Sequence, residues 1–324
     1  MKKYVVGIIY FFLTVLVLFG CSNASGKEEA VQVNIALNGK MSPLLIGKEK
    51  GLFEEEFAKY DAEISWSEFP SGPPLLESVA SNRVDLSYLG DGALIAGLDK
   101  NLPFEVIAQT GRGAALSRVI AQSGSGIDSI EDLKGKTVGM PAGTTAHVYL
   151  LKALKFHGLN SEDIKIINLQ PDDAQAAFES GQLDAWAAWE PYVTNNVAKG
   201  TAKIIEVDGE ILAPGGVIAR TGFAEEHPEL VEAFLSIYND IIEWQIANPD
   251  EASEIYAKET KMDFDTVKAL ITAEDPDLRF TDESIEAQQD TIDTLAEIGY
   301  IQEKFSFEER INKKYLDAIF NSNK

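Results

Sequence analysis

The sequence predicts an α/β fold with two lobes, in which each lobe is a mostly parallel sheet flanked by helices and a ligand cleft lies between the lobes. Two observations lead to this prediction. Segments with strand and helix periodicity alternate along the chain, which favours parallel sheets covered by helices. The same β-α-β-α-β order then occurs twice, about 100 residues apart, in a chain of 324 residues, which is long enough for two cores.

The first copy begins at residue 31 and contains three strands, each followed by a turn and a helix. We expect Ser42 to cap the first helix, with Pro43 at a position where its missing N–H does no harm. The predicted strands are 31–37, 62–69 and 84–89, and the predicted helices span 43–57, follow the turn 70–74 and start at Gly90. A further strand is predicted at 104–109.

The second copy repeats this plan, with strands at 136–140, 164–169 and 183–188 and helices at 146–156 and 174–179. The third strands of the two copies align at a constant offset, so that Asp85 corresponds to Asp184 and Asp91 to Glu190. From residue 221 onward apolar residues recur at helical spacing. Because ligands bind beyond the carboxyl ends of parallel strands, the turns of both halves are expected to surround one cleft.

The chain is strongly acidic, with 52 Asp and Glu residues against 28 Lys and Arg residues and a formal net charge of −24. Such a surface repels nucleic acid and anionic lipid, so neither is an expected partner. The same charge provides no long-range attraction for an anionic ligand. An anion site would therefore have to be built locally, from N–H groups and helix ends.

The N-terminal segment has the features of a lipoprotein signal peptide. Lys2 and Lys3 precede an uncharged, apolar stretch at 4–19, which is shorter than the ~20 residues needed to span a membrane. Cys21 is the only cysteine and follows a small residue, an arrangement that resembles the bacterial lipobox. We therefore expect a signal peptide at 1–20, lipidation of Cys21 and a lipidated tether at 21–31. A plain signal peptide with a chance cysteine is the alternative.

Motifs for catalysis and cofactor binding are incomplete. Gly135-Lys136-Thr137 imitates the end of a phosphate loop, but the required upstream glycine position holds Ile130. The three histidines lack zinc-ligand spacing, and no Gly-x-Ser-x-Gly turn is present. The sequence therefore predicts a protein that is not an enzyme and uses no metal or cofactor. The alternatives are an extracytoplasmic enzyme and a sensory or adhesive lipoprotein with an inactive cleft.

The turns that open the helices hold the candidate ligand-binding residues. Gly143, Thr144 and Thr145 place two hydroxyls and a flexible glycine at a helix start, where free N–H groups and the helix dipole favour an anion. Ser42 and the pair Ser71-Gly72 have the same chemistry in the other lobe. Simple helix capping by these hydroxyls is the alternative, and His147 is interpreted as a structural histidine.

Other candidates lie near the ends of strands. Trp189 is expected to cover the carbon chain of a ligand, with hinge packing as the alternative, whereas Trp186 is predicted to be core. Asp91 and Glu190 could neutralise a ligand ammonium, but capping of their helices is favoured. Arg112, flanked by glycines, is a possible anion clamp.

Several of these segments together resemble the aliphatic-sulfonate, taurine and nitrate substrate-binding proteins. The resemblance is carried by Gly139-Met-Pro-Ala-Gly-Thr-Thr-Ala-His147, Asn168-Leu169-Gln170-Pro171, Gly181-Gln182-Leu183-Asp184-Ala185 and Trp189-Glu190-Pro191, with Pro43-Leu44, Gly51-Leu52-Phe53 and the run 128–136 fitting the same pattern. It covers nearly all of the chain beyond the N-terminal segment. Gly90-Asp91-Gly92 departs from the pattern because it lacks the hydroxyl or proline often found at that turn.

The resemblance implies a two-lobed, type II periplasmic-binding-protein-like fold with crossovers near 114–121 and 214–217. Lobe 1 would comprise 32–117 and 217–322, and lobe 2 would comprise 118–216. It further implies a lipid-anchored monomer on the outer face of the cell membrane, which captures a small organic sulfonate and docks on the transmembrane permease of an ABC importer. Taurine, nitrate or a pyrimidine precursor of thiamine are the alternative cargoes.

The resemblance maps sulfonate contacts onto Ser42, Gly92, Thr144 and Thr145. Together with the candidates taken from the turns and strand ends, the predicted ligand-binding set is Asn38, Ser42, Ser71, Gly72, Gly90, Asp91, Gly92, Gly143, Thr144, Thr145, Trp189 and Glu190.

Overall fold

A computed structural model describes residues 30–113 and 117–321 of the chain. The predicted signal peptide at 1–20, Cys21 and nearly all of the predicted tether lie outside the described residues. The chain divides into two units, Met1–Val31 and Gln32–Lys324, and the fold below is that of the second. Among the residues described, no helix combines the length and apolar character needed to cross a membrane.

Ten described strands form two five-stranded sheets. The strands of the first sheet, in spatial order, are β2 (Ala62–Phe69), β1 (Val31–Asn38), β3 (Leu86–Leu89), β10 (Gly216–Arg220) and β4 (Phe104–Gln109). Those of the second are β7 (Lys165–Asn168), β6 (Thr137–Met140), β8 (Ala185–Trp189), β5 (Ser117–Gln122) and β9 (Ala202–Ile205).

The two sheets share one topology, as the repeated sequence plan predicts. In each, the fourth strand in spatial order runs antiparallel to both of its neighbours, while β1 and β3 in one sheet and β6, β7 and β8 in the other are parallel. The reversed strand, β10 or β5, follows directly after a crossover from the other sheet. The predicted two-lobed fold is thus confirmed, with sheets that are mixed because each accepts one strand from a crossover.

Helices cover both sheets. The described helices are α1 (Pro43–Lys50), α2 (Leu52–Phe57), α3 (Gly72–Ala80), α4 (Asp91–Asp99), α5 (Thr145–Phe156), α6 (Pro171–Glu179), α7 (Tyr192–Ala198), α8 (Thr221–Glu226), α9 (Pro228–Ala247), α10 (Pro249–Thr260), α11 (Phe264–Ala273), α12 (Asp282–Glu297) and α13 (Lys314–Asn321). Short 3₁₀ turns occur at Ala58–Tyr60, Glu131–Leu133, Ser161–Asp163 and Glu308–Arg310.

The single helix predicted at 43–57 is two helices, so this prediction was wrong. Gly51 adopts a left-handed conformation with φ 66°, and its N–H binds the carbonyl oxygens of Gly47 and Lys48. This arrangement ends α1, because a left-handed residue cannot continue a right-handed helix, and α2 begins at the next residue.

A matching pair of aspartates confirms the internal repeat. The Asp85 carboxylate accepts the N–H of Asn34 at 2.9 Å, and the Asp184 carboxylate accepts the N–H of Thr137 at 2.7 Å. Each aspartate therefore joins the start of the third strand of its half to the neighbouring first strand. The sequence offset of the repeat corresponds to one structural role used twice.

The chain passes between the sheets twice, after β4 and after β9, and the two crossovers lie side by side. The N–H of Thr110 binds the carbonyl of Gly215, and the N–H of Gly215 binds the Thr110 hydroxyl, both at 3.1 Å. The predicted crossover at 114–121 is described only from Ser117 onward. Two adjacent, hydrogen-bonded crossover segments are a suitable hinge between lobes.

The second lobe has a core on each face of its sheet. Trp186 is 1% exposed and packs with Phe178 and Val193 on one face, which confirms the prediction that it is core. On the other face Val138 and Ile205 pack beneath α5. The opposite side of α5 belongs to the core of the first lobe, so this helix is buried between the two lobes.

Candidate ligand-binding site

A cavity of about 200 Å³ lies between the lobes at the carboxyl ends of the strands. Predicted residues from both lobes line it: Asn38, Ser42, Ser71, Gly72, Gly90, Thr144, Thr145, Trp189 and Glu190. Polar residues that the sequence analysis did not propose also line it: Tyr88, Thr110, Ser117, Tyr238, Gln245 and Tyr256. The structure therefore brings turns of both lobes to one small-molecule-sized cavity.

The beginnings of four helices meet at the cavity. The lining includes the N-cap residues Ser42, Ser71, Gly90 and Thr144, which precede α1, α3, α4 and α5. Pro43 and Gly72 are the first residues of α1 and α3, and proline and glycine are tolerated in the first turn of a helix. Four helix N-termini therefore lie at one volume, where the positive ends of the helix dipoles favour a negative charge.

Tyrosine hydroxyls form the wall of the cavity near Ser42. The phenols of Tyr88 and Tyr238 lie within hydrogen-bonding reach of the Ser42 hydroxyl, and the Tyr88 phenol also donates to the carbonyl of Asn38. Burial raises the pKa of Tyr88 to about 12 and the pKa of Tyr238 further. These phenols are therefore neutral donors at any ordinary pH.

Ser117 contributes a hydroxyl that has no partner. The side chain is 2% exposed, lines the cavity, and its Oγ makes no hydrogen bond in the described structure. In the sheet it is paired with Trp189, since β5 runs antiparallel to β8 with these residues in register. A buried hydroxyl without a partner is costly, so its presence beside a cavity indicates a group that a ligand can satisfy.

Trp189 lies on the same wall as Ser117. It is the last residue of β8, is partly exposed, and its ring contacts Tyr192 edge-on with centroids 6.5 Å apart. The cavity is also lined by apolar side chains from α9 and α11 and the segment after it: Ile242, Leu270, Ile271 and Pro276. Polar groups and apolar side chains thus share one volume.

Glycines at the start of α4 allow the lobes to touch. A Cβ at Gly90 would lie 2.1 Å from Oγ1 of Thr145, and a Cβ at Gly92 would lie 2.6 Å from the carbonyl oxygen of Thr144. Side chains at these positions would separate α4 from α5. The segment Gly90-Asp91-Gly92, which departs from the family pattern, therefore lies where the two lobes are in close contact.

Three predicted residues, Asp91, Gly92 and Gly143, do not line the cavity. Asp91 is fully buried, burial raises the pKa of its carboxyl, and its Oδ1 accepts the N–H of Gly92 at 2.8 Å. The N–H of Gly143 donates to Nδ1 of His147 at 3.2 Å. These residues lie instead in the contact between the lobes, one turn or less from the cavity.

His147 is also outside the cavity lining. Its ring packs edge-on against Tyr300 with centroids 5.0 Å apart, and burial lowers its pKa to about 4. The imidazole is therefore neutral at ordinary pH, and its Nδ1 serves as an acceptor for the backbone.

Charged groups around the cavity are mostly engaged. Glu190 accepts the N–H of Thr194 at 3.0 Å, and burial raises the pKa of its carboxyl. Lys40 lies 3.8 Å from Glu259. Arg112, the possible anion clamp, does not line the cavity and pairs instead with Glu283 at 3.0 Å and Glu210 at 3.2 Å. Within the described ranges, no three His, Cys, Asp or Glu residues are grouped for a metal ion.

Comparison with known proteins identifies the family. A family profile described as NMT1/THI5 like matches residues 38–252. The chain belongs to the NMT1/THI5-like family. It is 35% identical over 323 residues to a Bacillus subtilis (strain 168) protein provisionally named an aliphatic sulfonates-binding protein, covering 98% of this chain and 96% of that protein. It is 31% identical over 231 residues to the taurine-binding periplasmic protein of Escherichia coli (strain K12), covering 69% of each.

Several solved structures share the fold. The alkanesulfonate-binding protein of Xanthomonas axonopodis pv. citri bound to MOPS superposes with a TM-score of 0.80 at 24% identity, covering 88% of this chain and 99% of that one. The desulfurization enzyme DSZB is also similar, with a TM-score of 0.68 at 14% identity, covering 91% of this chain and 100% of that one. The family resemblance predicted from the sequence is confirmed, and the fold itself serves both binding proteins and an enzyme.

Proposed function

We propose that this protein is the extracytoplasmic solute-binding component of an ABC importer and that its cargo is a small organic sulfonate. The ligand would be held between the lobes, with its charged head at the helix N-termini and its carbon chain along the apolar side chains. The two relatives named for sulfonate and taurine binding, at 35% and 31% identity, support this cargo class.

The observation that carries the proposal is the convergence of four helix N-termini and the unpartnered Ser117 hydroxyl on one cavity. Burying a singly charged anion without donors is prohibitive, so several donors must converge on it. A sulfonate presents three oxygens in a tetrahedral arrangement, and the helix N-termini and the unpartnered Ser117 hydroxyl supply neutral N–H and O–H donors for them. The hydroxyls of Ser71, Thr144 and Tyr88 already donate within the protein and shape the site instead. Because a monoanion carries a single charge, neutral N–H and O–H donors can hold it without a cluster of cationic side chains.

The apolar part of the cavity favours a sulfonate with a carbon chain over an inorganic anion. Trp189, Ile242, Leu270 and Ile271 all line the cavity and give it apolar surface. Each buried methylene contributes about 0.8 kcal/mol, so a chain of two or three carbons adds measurable affinity. Nitrate or sulfate would leave this surface without a partner.

Taurine is the second candidate, and one observation favours it. The carboxylates of Glu190 and Glu274 both line the cavity, where they could accept hydrogen bonds from an ammonium group. A pyrimidine precursor of thiamine is a third cargo, because the chain is also 27% identical over 267 residues to the formylaminopyrimidine-binding protein of Halalkalibacterium halodurans.

Binding without turnover is part of the proposal. Among the described residues that line the cavity, Lys40, Glu190 and Glu274 are ionisable and the other polar groups are neutral, and the neutral imidazole of His147 lies outside it. Because the desulfurization enzyme has the same fold, release of sulfite from each candidate ligand should be measured. No sulfite above the protein-free control is the expected result.

We also propose that the protein is monomeric, that Cys21 carries a lipid anchor, and that lobes at 32–117 with 217–322 and at 118–216 close on the ligand and dock on the permease. The lone cysteine behind a short apolar segment supports the anchor. In the producing cell, Cys21→Ser should abolish lipid labelling and release the protein from the membrane. A wild type that carries no lipid, with membrane retention unchanged in the variant, would contradict the anchor and leave the cargo proposal untouched.

The cargo is tested by a thermal-shift screen of methanesulfonate, ethanesulfonate, taurine, nitrate, sulfate and hydroxymethylpyrimidine. A ligand at 100 times its dissociation constant adds about 2.7 kcal/mol to the free energy of unfolding. We expect the largest shifts with the sulfonates. A large shift with the pyrimidine and none with any sulfonate would overturn the cargo proposal.

A further inference from the structure

A buried lysine crosses from one lobe to the other. Lys152 lies on α5 of the second lobe, and its side chain is only 6% exposed. Its Nζ lies 2.7 Å from Oδ2 of Asp290 and donates to Oγ1 of Thr291 at 3.0 Å. Both partners are on α12, which packs on α4 in the core of the first lobe. The cavity does not include Lys152, so ligand contact does not explain its burial.

A fully buried carboxylate of the first lobe faces this lysine. Asp91 is 0% exposed at the start of α4, and the hydroxyl of Thr291 donates to its Oδ2 at 3.4 Å. Thr291 therefore stands between the two charged groups, because its hydroxyl also accepts the hydrogen bond from Nζ of Lys152. The Thr145 hydroxyl lies within hydrogen-bonding reach of the Asp91 carboxylate. Asp91 thus meets the second lobe at Thr145, which lines the cavity, and at Lys152 across Thr291.

The surroundings of this pair are apolar. Val148 and Leu151 from α5 share one core cluster with side chains of the first lobe, among them Leu94, Ile95, Ile292 and Leu295. Separation of the lobes would return both charges to water, and closure removes both from it. Closure is then favourable only if the buried charges are compensated, because an uncompensated buried charge costs several kcal/mol. Lys152 lies between its ion-pair partner Asp290 and, across Thr291, the carboxylate of Asp91, for which it provides the positive charge.

We propose that Asp91 and Lys152 form a latch that holds the two lobes closed and positions Thr145 at the ligand cavity. Asp91 is a positioning residue in this role, since its carboxylate holds the hydroxyl of Thr145, which is the first residue of α5 and lines the cavity. The latch rests on the proposed function only in taking the cavity as the ligand site. It assigns a role to two buried charged side chains, Asp91 and Lys152, that the proposed function leaves unused.

The chain provides a matched control three residues further along the same helix. Lys155 also pairs across the lobes, with Glu297 of α12 at 2.8 Å, but the two side chains are 58% and 49% exposed. An exposed pair contributes little, so Lys155→Met should leave closure almost unchanged. Lys152→Met removes the buried cation and leaves Asp91 uncompensated.

The experiment measures lobe closure directly. Spin labels on Glu77→Cys in the first lobe and Glu162→Cys in the second, both exposed positions, report the distance between lobes in the full-length chain in detergent. We expect Lys152→Met to lower the closed fraction, with and without saturating ethanesulfonate, and to raise the dissociation rate of ethanesulfonate roughly 10- to 100-fold. Lys155→Met should change that rate less than about twofold.

A double variant separates the latch from a general effect on folding. Asp91→Asn together with Lys152→Met removes both charges, and its closed fraction should lie nearer to wild type than that of Lys152→Met alone. If Lys152→Met fails to fold, a double variant that folds and binds ethanesulfonate still shows that the two charges compensate each other, and a double variant that also fails to fold contradicts the latch. Equal closed fractions in wild type and every variant, or a wild type that never closes, would overturn the latch.

The outcomes distinguish the latch from the proposed function. If wild type binds no sulfonate while Lys152→Met still loses the closed state, the latch stands and the cargo is wrong. If all variants bind ethanesulfonate as wild type does and close equally, the cargo proposal stands and the latch is wrong.

Discussion

The unpartnered hydroxyl of Ser117 allows a prediction in which stability and affinity change in opposite directions. In the ligand-free protein this buried group satisfies no hydrogen bond, which costs about 1–3 kcal/mol. Ser117→Ala removes the unsatisfied hydroxyl and its energetic cost, and leaves a methyl group at a buried position that is only 2% exposed. The free energy of unfolding should therefore stay the same or rise by about 1 kcal/mol.

Affinity should fall in the same variant. A hydrogen bond to a charged group contributes about 1.5–3 kcal/mol, and each 1.4 kcal/mol is a factor of ten, so the dissociation constant for ethanesulfonate should rise roughly 10- to 100-fold. Chemical denaturation without ligand gives the first quantity. Isothermal titration calorimetry with ethanesulfonate gives the second.

Ser87 is the matched control for Ser117. It is also fully buried in a strand, but its hydroxyl donates to the carbonyl of Ala36 at 2.8 Å and does not line the cavity. Ser87→Ala should lose about 1 kcal/mol of stability and keep its affinity. If Ser117→Ala behaves like Ser87→Ala, with lower stability and unchanged affinity, the inference that Ser117 binds the ligand is refuted.

Three further predictions follow from the site. Gly90→Ala should weaken ethanesulfonate binding at least tenfold by calorimetry with folding retained, because its Cβ would lie 2.1 Å from the Thr145 hydroxyl and prevent closure; unchanged affinity would show that closure tolerates the methyl group. Trp189→Ala should lose more affinity for butanesulfonate than for methanesulfonate, by about 0.8 kcal/mol per methylene covered, whereas an equal loss for all chain lengths would make Trp189 a packing residue. Burial lowers the pKa of His147 to about 4 from an ordinary 6.5, so as the pH falls the unfolded chain binds the proton before the folded chain does. The stability that the neutral His147 contributes is therefore complete above pH 6.5 and is lost as the pH falls toward 4, by at most about 3 kcal/mol. His147→Asn, which keeps an acceptor for Gly143, should remove this part of the pH dependence of unfolding, and an unchanged dependence would contradict it.

The turn residues could be located from the sequence because they follow strands whose period and length are visible locally. Ser42, Ser71, Gly90, Thr144 and Thr145 all come at such turns, and all line the cavity. A parallel sheet brings its carboxyl ends to one edge, so no long-range information was needed to group them. Whether each residue contacts a ligand stays a prediction.

Residues that depend on pairing across the chain could not be found in this way. Ser117 begins the strand that follows a crossover, and its position opposite Trp189 is set by a partner strand that ends about 70 residues later. Tyr238 has the spacing of an apolar helix face, so its sequence context predicts core, while its hydroxyl reaches Ser42. The hydroxyl of Tyr238 and its aromatic ring therefore have different surroundings.

The fate of Asp91 illustrates the same limit. A carboxylate at a helix start is consistent with capping and with ligand contact. The residues next to Asp91 in the sequence do not decide between these two roles. Lys152 and Thr291, which lie 61 and 200 residues away along the chain, provide its surroundings in the fold (152 − 91 and 291 − 91). The contact between lobes, which only the folded chain creates, decides that Asp91 is buried.

Isothermal titration calorimetry of the full-length chain with ethanesulfonate, taurine, nitrate and hydroxymethylpyrimidine tests the central claim most directly. The claim is that a cavity formed by helix N-termini, hydroxyls and apolar side chains selects an organic sulfonate. We predict one site per chain, with ethanesulfonate bound more tightly than nitrate and with a negative heat-capacity change from the apolar surface that is buried. Tight binding of hydroxymethylpyrimidine with no detectable heat from any sulfonate would contradict the account.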